Sequence, residues 1–382
     1  MSEARIDSLS NESNTGGPTL SGITTFSGTN YFVPPLGNTG ERPENPEKGS
    51  IRFNTDTKHL EYYRGDTIGW AEIEASNDEL NGGTRMVTGG GYSHPDSDYV
   101  NYMAYGSIES LGNFVDFGDR TEPTGNGMFG YSSRTRGVFG CGYDTGPNTS
   151  TNVIDYITIA STGNALDFGD AAYKVEGACG LSNGVRGVHA YGFQRTDWAS
   201  KNDLQYSTIA SKGNTIDTGI DLSIEHRSSA SFSSSTRGIW YGGVHPAARN
   251  TISYITITSL GQLIDFGDIP TAYGENNKGA SNAVRGVVFA GYNGPASANS
   301  NEITYITIAS VGNASDFGDA TQTVNNGTSG SSPTRVLYAG GSPASNIIEY
   351  VQISTTGNAV DFGDLTHQVS GGACVTNGHG GL

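Results

Sequence analysis

The chain has 382 residues and a formal net charge of −17, with 38 acidic and 21 basic side chains. This balance argues against a nucleic-acid or anionic-membrane surface, because phosphate binding needs clustered Lys and Arg and the sequence has no basic run. Gly supplies 56 residues, charged residues are only 15%, and every apolar stretch is strand-sized, which predicts short strands with many turns and no membrane-spanning helix.

The first 83 residues are predicted to form an extended arm followed by a small anchor. Residues 1–35 are rich in Ser, Asn, Gly and Thr, which is typical of an extended segment. Alternating residues then predict a three-stranded meander with strands near residues 51–54, 59–63 and 69–73. So small a sheet is not stable alone. We therefore expect residues 1–83 to pack on another chain or on further copies of this one, a homotrimer being one option.

From residue 84 a unit of roughly fifty residues recurs six times, which indicates a propeller, solenoid or array. An Arg opens an apolar run in each unit: Arg85, Arg136, Arg186, Arg237, Arg285 and Arg335. A Tyr follows in an alternating run: Tyr105, Tyr156, Tyr206, Tyr254, Tyr305 and Tyr350. Each unit then has Asp-Phe-Gly-Asp or a variant, with first residues Asp116, Asp167, Asp217, Asp265, Asp316 and Asp361.

One unit is predicted to contain four strands. In the fifth unit, 285–292 is apolar and β-branched, and 303–308 alternates as a half-buried strand should. Gly312-Asn313 predicts a tight hairpin that leads to a further strand at 314–317. The stretch before the next Arg, 327–333, consists almost wholly of small residues, which suits an innermost strand at a crowded axis.

The ends of the repeat region predict a closed ring. The region starts with an apolar strand at 84–92 that has no small-residue strand before it, and it ends with an unpaired small-residue strand at 371–378. These two strands would complete one blade and leave no open sheet edge. We therefore predict an all-β fold in which 84–382 form a six-bladed β-propeller of four-stranded blades, closed by a blade shared between its first and last strands.

The strand order and the Gly pairs of the repeats resemble a kelch repeat across residues 84–382. The pairs end apolar strands at Gly90-Gly91, Gly242-Gly243 and Gly340-Gly341. A Phe stands where a kelch unit usually carries a late Trp: Phe117, Phe168, Phe266, Phe317 and Phe362. The resemblance implies a kelch-like propeller.

The N-terminal module is similar to one found near the start of virion and tail-appendage proteins of tailed phages that infect marine cyanobacteria. The resemblance is carried by the residues 49–57, Leu60-Glu-Tyr-Tyr63 and Trp70, and by the earlier segment 16–27. The repeats, with Tyr-Ile-Thr-Ile-Ala-Ser before Asp-Phe-Gly-Asp, also resemble those of marine phage structural proteins. The resemblance implies a virion protein whose N-terminal module docks to other virion proteins and carries a variable head.

The repeated Arg, Tyr and Asp residues are predicted to be structural, because a residue present in every blade serves what all blades share. Two carboxylates three residues apart, such as Asp116 and Asp119, supply too few oxygens for Ca²⁺. No metal-ligand spacing joins Cys141, Cys179 and Cys374, and these are expected to be buried thiols. The sequence predicts no cofactor, no metal and no catalytic set.

The loops between second and third strands differ between units and are predicted to share one rim with the connections between blades. Recognition is usually placed on such loops. Aromatic rings and imidazoles there suit the face of a sugar, which makes the candidate ligand-binding residues His94, Tyr99, Tyr173, Trp198, His245 and Tyr273. An equally open alternative is that these loops bind nothing.

Three functions follow from these patterns. The favoured one is a non-enzymatic virion structural protein (a tail fibre, baseplate or other appendage) whose propeller recognises a host-surface glycan. The alternative is a purely architectural decoration of the particle. An enzyme acting on polysaccharide is less favoured, because no acid pair breaks the period in one blade and a fold alone supplies no function. No nucleic acid and no membrane insertion are expected.

Overall fold

The computed structural model describes residues 33–73, 83–223, 227–244, 246–273, 278–289 and 291–382. These ranges contain strands, turns and one 3-10 helix at Thr39–Glu41, and no α-helix, so the predicted all-β class is confirmed. None of the helical structure in these ranges is long and apolar enough to cross a bilayer. The chain divides into two compact units, residues 1–77 and 78–382.

The first unit contains one four-stranded sheet, with β1 at Leu36–Gly37, β2 at Ile51–Asn54, β3 at His59–Tyr63 and β4 at Trp70–Ile73. Strands β2, β3 and β4 form the predicted antiparallel meander. The sequence did not predict β1, which pairs parallel with β2 through only two residues. A strand that short leaves no alternating pattern to detect.

A buried carboxylate ties this sheet to the segment that precedes it. Glu61 on β3 is fully buried, and it accepts hydrogen bonds from Arg42 at 3.2 Å and from Asn54 at 3.2 Å. The Arg52 guanidinium lies 3.5 Å away. The hydrogen bond from Arg42 lowers the pKa of Glu61. The carboxylate therefore stays ionised, and charge-assisted bonds hold the 3-10 segment against the sheet.

The second unit contains six main antiparallel sheets, numbered here along the chain, each built on four strands in the same spatial order. Sheet 4 is extended to six strands by a short ladder. Sheet 1 has Ala373–Thr376, Arg85–Gly89, Tyr102–Ser107 and Val115–Asp119. Sheet 2 has Phe129–Ser132, Arg136–Gly140, Val153–Thr158 and Leu166–Asp170. Sheet 3 has Cys179–Ser182, Arg186–Ala190, Asp203–Thr208 and Ile216–Asp221.

The remaining sheets follow the same plan. Sheet 4 has Ala230–Ser233, Arg237–Tyr241, Arg249–Thr256 and Ile264–Tyr273. Sheet 5 has Lys278–Ser281, Arg285–Phe289, Glu302–Thr307 and Ser315–Asp319. Sheet 6 has Thr328–Ser331, Arg335–Gly341, Ser345–Gln352 and Val360–Asp364. The predicted order of a small-residue strand, an apolar strand, an alternating strand and an Asp-Phe-Gly-Asp strand is the observed one.

Sheet 1 joins the two ends of the repeat region. Its first strand comes from the C-terminus and pairs antiparallel with the second strand, in the register Ala373↔Gly89 to Thr376↔Met86. Beyond the ladder, the Asn377 side chain accepts a hydrogen bond of 2.9 Å from the backbone N–H of Arg85. The last strand therefore completes the sheet that the first strand of the region begins.

Several loops that the sequence left without structure form two-residue ladders. The ladders pair Tyr92–Ser93 with Asp98–Tyr99, Tyr143–Asp144 with Thr149–Ser150, Phe193–Gln194 with Ala199–Ser200, and Tyr292–Asn293 with Ala298–Asn299. Val369–Ser370 adds a third strand to the first of them, and Tyr273 of sheet 4 pairs with Asn293 of the last. Each turn places one non-Gly residue at positive φ: Ser97, Asn148, Trp198 and Ser297. Their polar composition concealed these hairpins from a search for apolar periodicity.

Each sheet packs on the next through its own apolar cluster, and sheet 6 packs on sheet 1. The cluster between sheets 6 and 1 includes Met86 and Ile108 from one side and Leu337 and Phe362 from the other, all almost fully buried. Five further clusters join the successive pairs. The contacts between sheets are therefore cyclic, and the apolar core is divided among six equivalent interfaces.

Outside these clusters, the Gly of the Asp-Phe-Gly-Asp motif meets the Gly-Asn of the following sheet. The sequence predicted a tight hairpin at Gly312-Asn313, but in the equivalent place of sheet 2 the segment 159–165 is a longer connection that reaches back to sheet 1. Gly163 donates its N–H to the Phe117 carbonyl at 2.8 Å, and Asn164 accepts from the Asp119 N–H at 3.1 Å. A Cβ on Gly118 would stand 2.6 Å from the Gly163 carbonyl group. The Gly of the motif therefore allows the backbones of two neighbouring sheets to approach closely.

Replacing this Gly by Ala is expected to destabilise the protein through that approach. Gly169 and Gly213 have φ of 147° and 145°, so Ala strains the backbone equally at both. A Cβ on Gly169 would lie 2.5 Å from the Gly213 carbonyl group, whereas one on Gly213 would meet no atom within 4 Å. We expect Gly169→Ala to lower the free energy of unfolding by about 3 kcal/mol more than Gly213→Ala does, measured by urea denaturation. Equal losses of unfolding free energy in the two variants would contradict a close backbone contact between Gly169 and Gly213.

Candidate functional site

The loops from second to third strands and the connections between sheets meet at one edge of the sheets, called here the loop edge. Gly91 donates to the Thr124 carbonyl at 2.8 Å and Gly142 to the Val175 carbonyl at 2.9 Å, which joins the two kinds of segment. Over sheets 1–3 the loop edge consists of residues 90–101, 120–128, 141–152, 171–178 and 191–202. The opposite edge carries the shorter first-to-second turns and the Gly-Asn connections.

Four rings and one guanidinium on the loop edge form a continuous line, called here the aromatic row: His94, Tyr92, Tyr99, Tyr143 and Arg195. The Tyr99 ring lies edge-on to both Tyr92 and Tyr143, with centroids 5.4 and 5.3 Å apart. His94 meets Tyr92 at 5.4 Å. At the other end the Arg195 guanidinium lies 4.0 Å from the centre of the Tyr143 ring. Residues from three successive repeats thus form one surface.

The short ladders and a Gly set the positions of these rings. Tyr92 and Tyr99 are directly opposite each other across the first ladder. Gly125 lies against Tyr99, where an added Cβ would come within 2.5 Å of the ring, and its N–H donates to the Tyr143 carbonyl at 3.1 Å. Burial, followed by the nearby Glu176 carboxylate, raises the pKa of Tyr99 to about 12. Its hydroxyl therefore remains a proton donor at neutral pH.

A second aromatic pair, a Phe and an exposed Trp, is connected to Arg195 through Glu176. Arg195 forms an ion pair of 3.0 Å with Glu176, which is only 6% exposed. The Glu176 N–H donates to the Phe193 carbonyl at 3.0 Å. The Phe193 ring meets Trp198 edge-on at 5.8 Å, and Trp198 is 73% exposed. The Arg227 guanidinium lies 5.1 Å from the Phe193 ring on the neighbouring connection.

The structure brings three of the six predicted ligand-binding residues to this line and separates two. His94 and Tyr99 belong to the aromatic row, and Trp198 lies at its extension. Tyr173 lies apart from it and donates from its hydroxyl to the Asp217 carboxylate at 3.2 Å, a contact between sheets 2 and 3. Tyr273 is the last residue of a strand and pairs with Asn293. The sixth, His245, lies outside the described residues.

Sequence reasoning missed Tyr92, Tyr143, Arg195 and Glu176. Tyr92 and Tyr143 hold the same place in successive units, directly after a Gly, and they were treated as strand ends. Arg195 and Glu176 gave no distinct signal, because they are two of ten charged residues among the 53 residues that form the loop edge over sheets 1–3.

The repeated Arg residues lie over the repeated Tyr residues and reach the next sheet. Each guanidinium carbon is 4.4–4.7 Å from the ring centre of the Tyr in its own unit. Arg136, for example, lies over Tyr156 and donates to the Ile209 carbonyl at 2.8 Å in sheet 3. The corresponding acceptors elsewhere are carbonyls of Ile159, Ile257, Ile308, Ile353 and Ile108. The Arg residues thus link consecutive sheets around the whole cycle.

The repeated Asp residues are all exposed on the fourth strands and do not converge. They are Asp116, Asp167, Asp217, Asp265, Asp316 and Asp361. Across the described part of the chain, no three His, Cys, Asp or Glu residues lie close enough together to hold a metal ion. The loop edge is therefore the place where the repeats differ most in chemistry.

No protein-family model and no curated protein matches the sequence. The function must therefore be inferred from the geometry of the site. The aromatic row offers planar rings, hydroxyl groups and an imidazole along one edge. Arg195 is paired with Glu176, so this part of the surface carries little net charge. Such an arrangement can stack on and hydrogen-bond to a polar ligand with flat apolar faces.

Proposed function

We propose that this chain is a non-enzymatic structural protein of a phage particle and that its aromatic row binds a glycan on the host surface. The observation that carries the proposal is the continuous row of rings built from three different repeats. The sequence resemblance of residues 1–83 and of the repeats to marine phage virion proteins supplies the context of a particle.

In this proposal residues 84–382 form a six-bladed, kelch-like β-propeller with the aromatic row on one rim. Three features support it: six sheets built on four strands and in cyclic contact, a first strand in each that ends in Ser or Thr, and a sheet shared between the two ends of the region. A closed ring of sheets is a rigid support for variable loops. Rigidity matters for recognition because a preorganised site loses less entropy on binding.

The chemistry of the row suits an uncharged glycan. The C–H face of a pyranose packs on an aromatic ring, and its hydroxyls bond to neighbouring polar groups. The Tyr hydroxyls and the free edge of the Arg195 guanidinium supply such groups. Because Glu176 neutralises Arg195, and because the chain carries a net charge of −17, an acidic polysaccharide would be disfavoured.

The N-terminal unit supports docking to another virion protein. Val33, Leu36, Leu60 and Ile73 are 57%, 64%, 39% and 40% exposed, and together with Phe53 they line one apolar hollow. A contiguous apolar surface on so small a sheet is typical of an interaction site. The partner is a virion protein or further copies of this chain, as in a homotrimer.

The architectural alternative is favoured by the same apolar hollow, because docking alone suffices for a decoration protein. It differs from the main proposal in needing no ligand at the loop edge. An enzyme has less support, because no group in the row is placed as a nucleophile or as a general acid beside a base.

Removal of a ring from the row or from its extension at Trp198 is expected to weaken binding to host cells. We expect Tyr143→Ala and Trp198→Ala, in the full chain, each to reduce the affinity for host cells or purified surface glycan about tenfold, as for loss of one stacking contact. Tyr292→Ala is the matched control, because Tyr292 holds the same ladder position as Tyr143 outside the row. Saturation binding of labelled protein gives the affinities. Undiminished binding by both variants, or no binding by the wild type, would favour the decoration role.

A further inference from the structure

The first strands of the six sheets surround a central cavity with a ring of hydroxyls near one end. Each Ser at the fourth position of a first strand donates to the backbone carbonyl of the residue at that position in the preceding sheet, at 2.6–2.8 Å. The donors are Ser132, Ser182, Ser233, Ser281 and Ser331. In sheet 1 the Thr376 carbonyl accepts from Ser132, whereas the Thr376 hydroxyl has no hydrogen-bond partner among the described residues. The chain of hydrogen bonds fixes the spacing of the first strands around the cavity.

The C-terminal residues cover this end of the cavity. Gly380 donates to the Ser281 carbonyl at 2.7 Å. The His379 Nε2 atom lies 3.3 Å from the Ser182 hydroxyl and 3.2 Å from the Ser132 carbonyl oxygen. The other end faces the loop edge, because the first residues of the first strands follow the connections between sheets.

At the loop-edge end, a cavity of about 70 Å³ contains a single charged group among the described residues that line it, the Lys278 ammonium. Lys278 is the first residue of the first strand in sheet 5. The equivalent residues in the other sheets are small or apolar: Ala373, Phe129, Cys179, Ala230 and Thr328. A Lys at this place breaks the period in one sheet only, which marks a local role.

Donors at this end of the cavity have no acceptor. The Thr328 hydroxyl belongs to a residue only 5% exposed and has no hydrogen-bond partner, and the same holds for the buried Ser329 hydroxyl. Within the described residues the Lys278 ammonium makes no hydrogen bond or ion pair. Lys278 pairs with Phe289 and Thr328 with Ala339, equivalent positions in adjacent sheets, so the two residues start neighbouring strands at the same level.

The described residues that line the cavity supply no counter-charge for Lys278. No Asp or Glu is among the described residues that line it, and burial raises the pKa of the Cys179 thiol to about 11 and that of Cys374 further, so both stay neutral. Burial also lowers the pKa of Lys278. Lys278 itself is half-buried. A cation without a partner among the described residues is disfavoured in such a place, and an anion with lone pairs for the spare hydroxyls would offset that cost.

We propose that the loop-edge end of the central cavity binds a small carboxylate ion between the Lys278 ammonium and the hydroxyls of Thr328 and Ser329. A carboxylate provides two oxygens, enough to accept from the ammonium and from both hydroxyls. The volume suits an ion of the size of acetate. The site is separate from the aromatic row and does not depend on glycan binding.

Calorimetric titration of the full chain with sodium acetate, at constant ionic strength kept with sodium chloride, tests the site. We expect saturable binding by the wild type, a loss of at least tenfold in Lys278→Met, and no change in Lys174→Met, an exposed Lys outside the cavity. Thr328→Val keeps the shape of the side chain and removes one donor, and it is expected to weaken binding severalfold. This second variant keeps the proposal testable should Lys278→Met fail to fold.

Two results would overturn the proposal. One is the absence of acetate binding by the wild type, or equal binding by Lys278→Met. The other is binding of inorganic phosphate in place of acetate in a parallel titration, which would assign the cavity to a different class of anion.

Discussion

Removal of residues 371–382 is expected to abolish cooperative folding of the six-sheet unit. The truncation deletes the first strand of sheet 1 and leaves the ladder groups of Arg85–Gly89 unpaired on one side. It also removes Ala373 and Val375, 5% and 2% exposed, from the cluster between sheets 1 and 2. The contacts between sheets are cyclic, and at sheet 1 the two ends of the region are joined by hydrogen bonds and not by a covalent connection. The truncation therefore opens the cycle there.

The expected loss is comparable with the whole stability of a domain. Each broken ladder hydrogen bond costs about 1 kcal/mol and each exposed core Val about 2 kcal/mol. A typical domain is stable by only about 5–15 kcal/mol. Urea denaturation followed by circular dichroism should show no cooperative transition in the truncated chain. Truncation after Gly378 is the control, because it keeps the strand and removes only the covering residues; unchanged midpoints in both chains would refute the role of the seam.

Acidification to pH 5 is expected to destabilise the protein through two imidazoles. His189 is 2% exposed and its ring stacks on Phe129 with centroids 4.2 Å apart. Burial lowers the pKa of His189 to about 4, and burial lowers that of His379 to about 4 as well. An unfolded His titrates near 6.5. The unfolded chain therefore binds protons first, and stability falls as the pH drops from about 6.5 towards 4.

The loss between pH 7 and pH 5 should be about 2 kcal/mol for each imidazole, or about 4 kcal/mol together. Urea denaturation at pH 7, 6 and 5 measures it. His189→Phe should remove about half of the dependence, and Phe already occupies the equivalent place at Phe139. A free energy of unfolding that stays constant over this range would show that both imidazoles are accessible to protons.

The strand plan of a repeat could be predicted because each strand has its own local pattern. Small residues, an apolar run, alternation and Asp-Phe-Gly-Asp recur in order, and the unpaired small strand near the C-terminus predicted its pairing with Arg85–Gly89. The close backbone contact between Gly169 and Gly213 could not be predicted, because it joins two sheets through backbone atoms alone. The parallel strand Leu36–Gly37 is too short to show a period.

The candidate site was harder to predict for the same reason. The sequence identified loops rich in rings, but it could not say which rings meet across repeats. Tyr173 resembled Tyr99 in its loop setting, yet it bonds to Asp217, while Tyr143 joined the row from a position that looked like a strand end. Side-chain partners across sheets depend on cyclic packing, and this is a property of the fold rather than of any one unit.

The place of Arg85–Gly89 within sheet 1 has a mechanical consequence. The strand lies between Ala373–Thr376 and Tyr102–Ser107, with ladders on both sides. Tension that reaches the unit along the polypeptide from residue 83 must therefore extract a central strand, and it cannot peel away a free edge. A pulling force applied at residue 83 would therefore act on two ladders at once, because the strand Arg85–Gly89 that follows it is hydrogen-bonded on both sides.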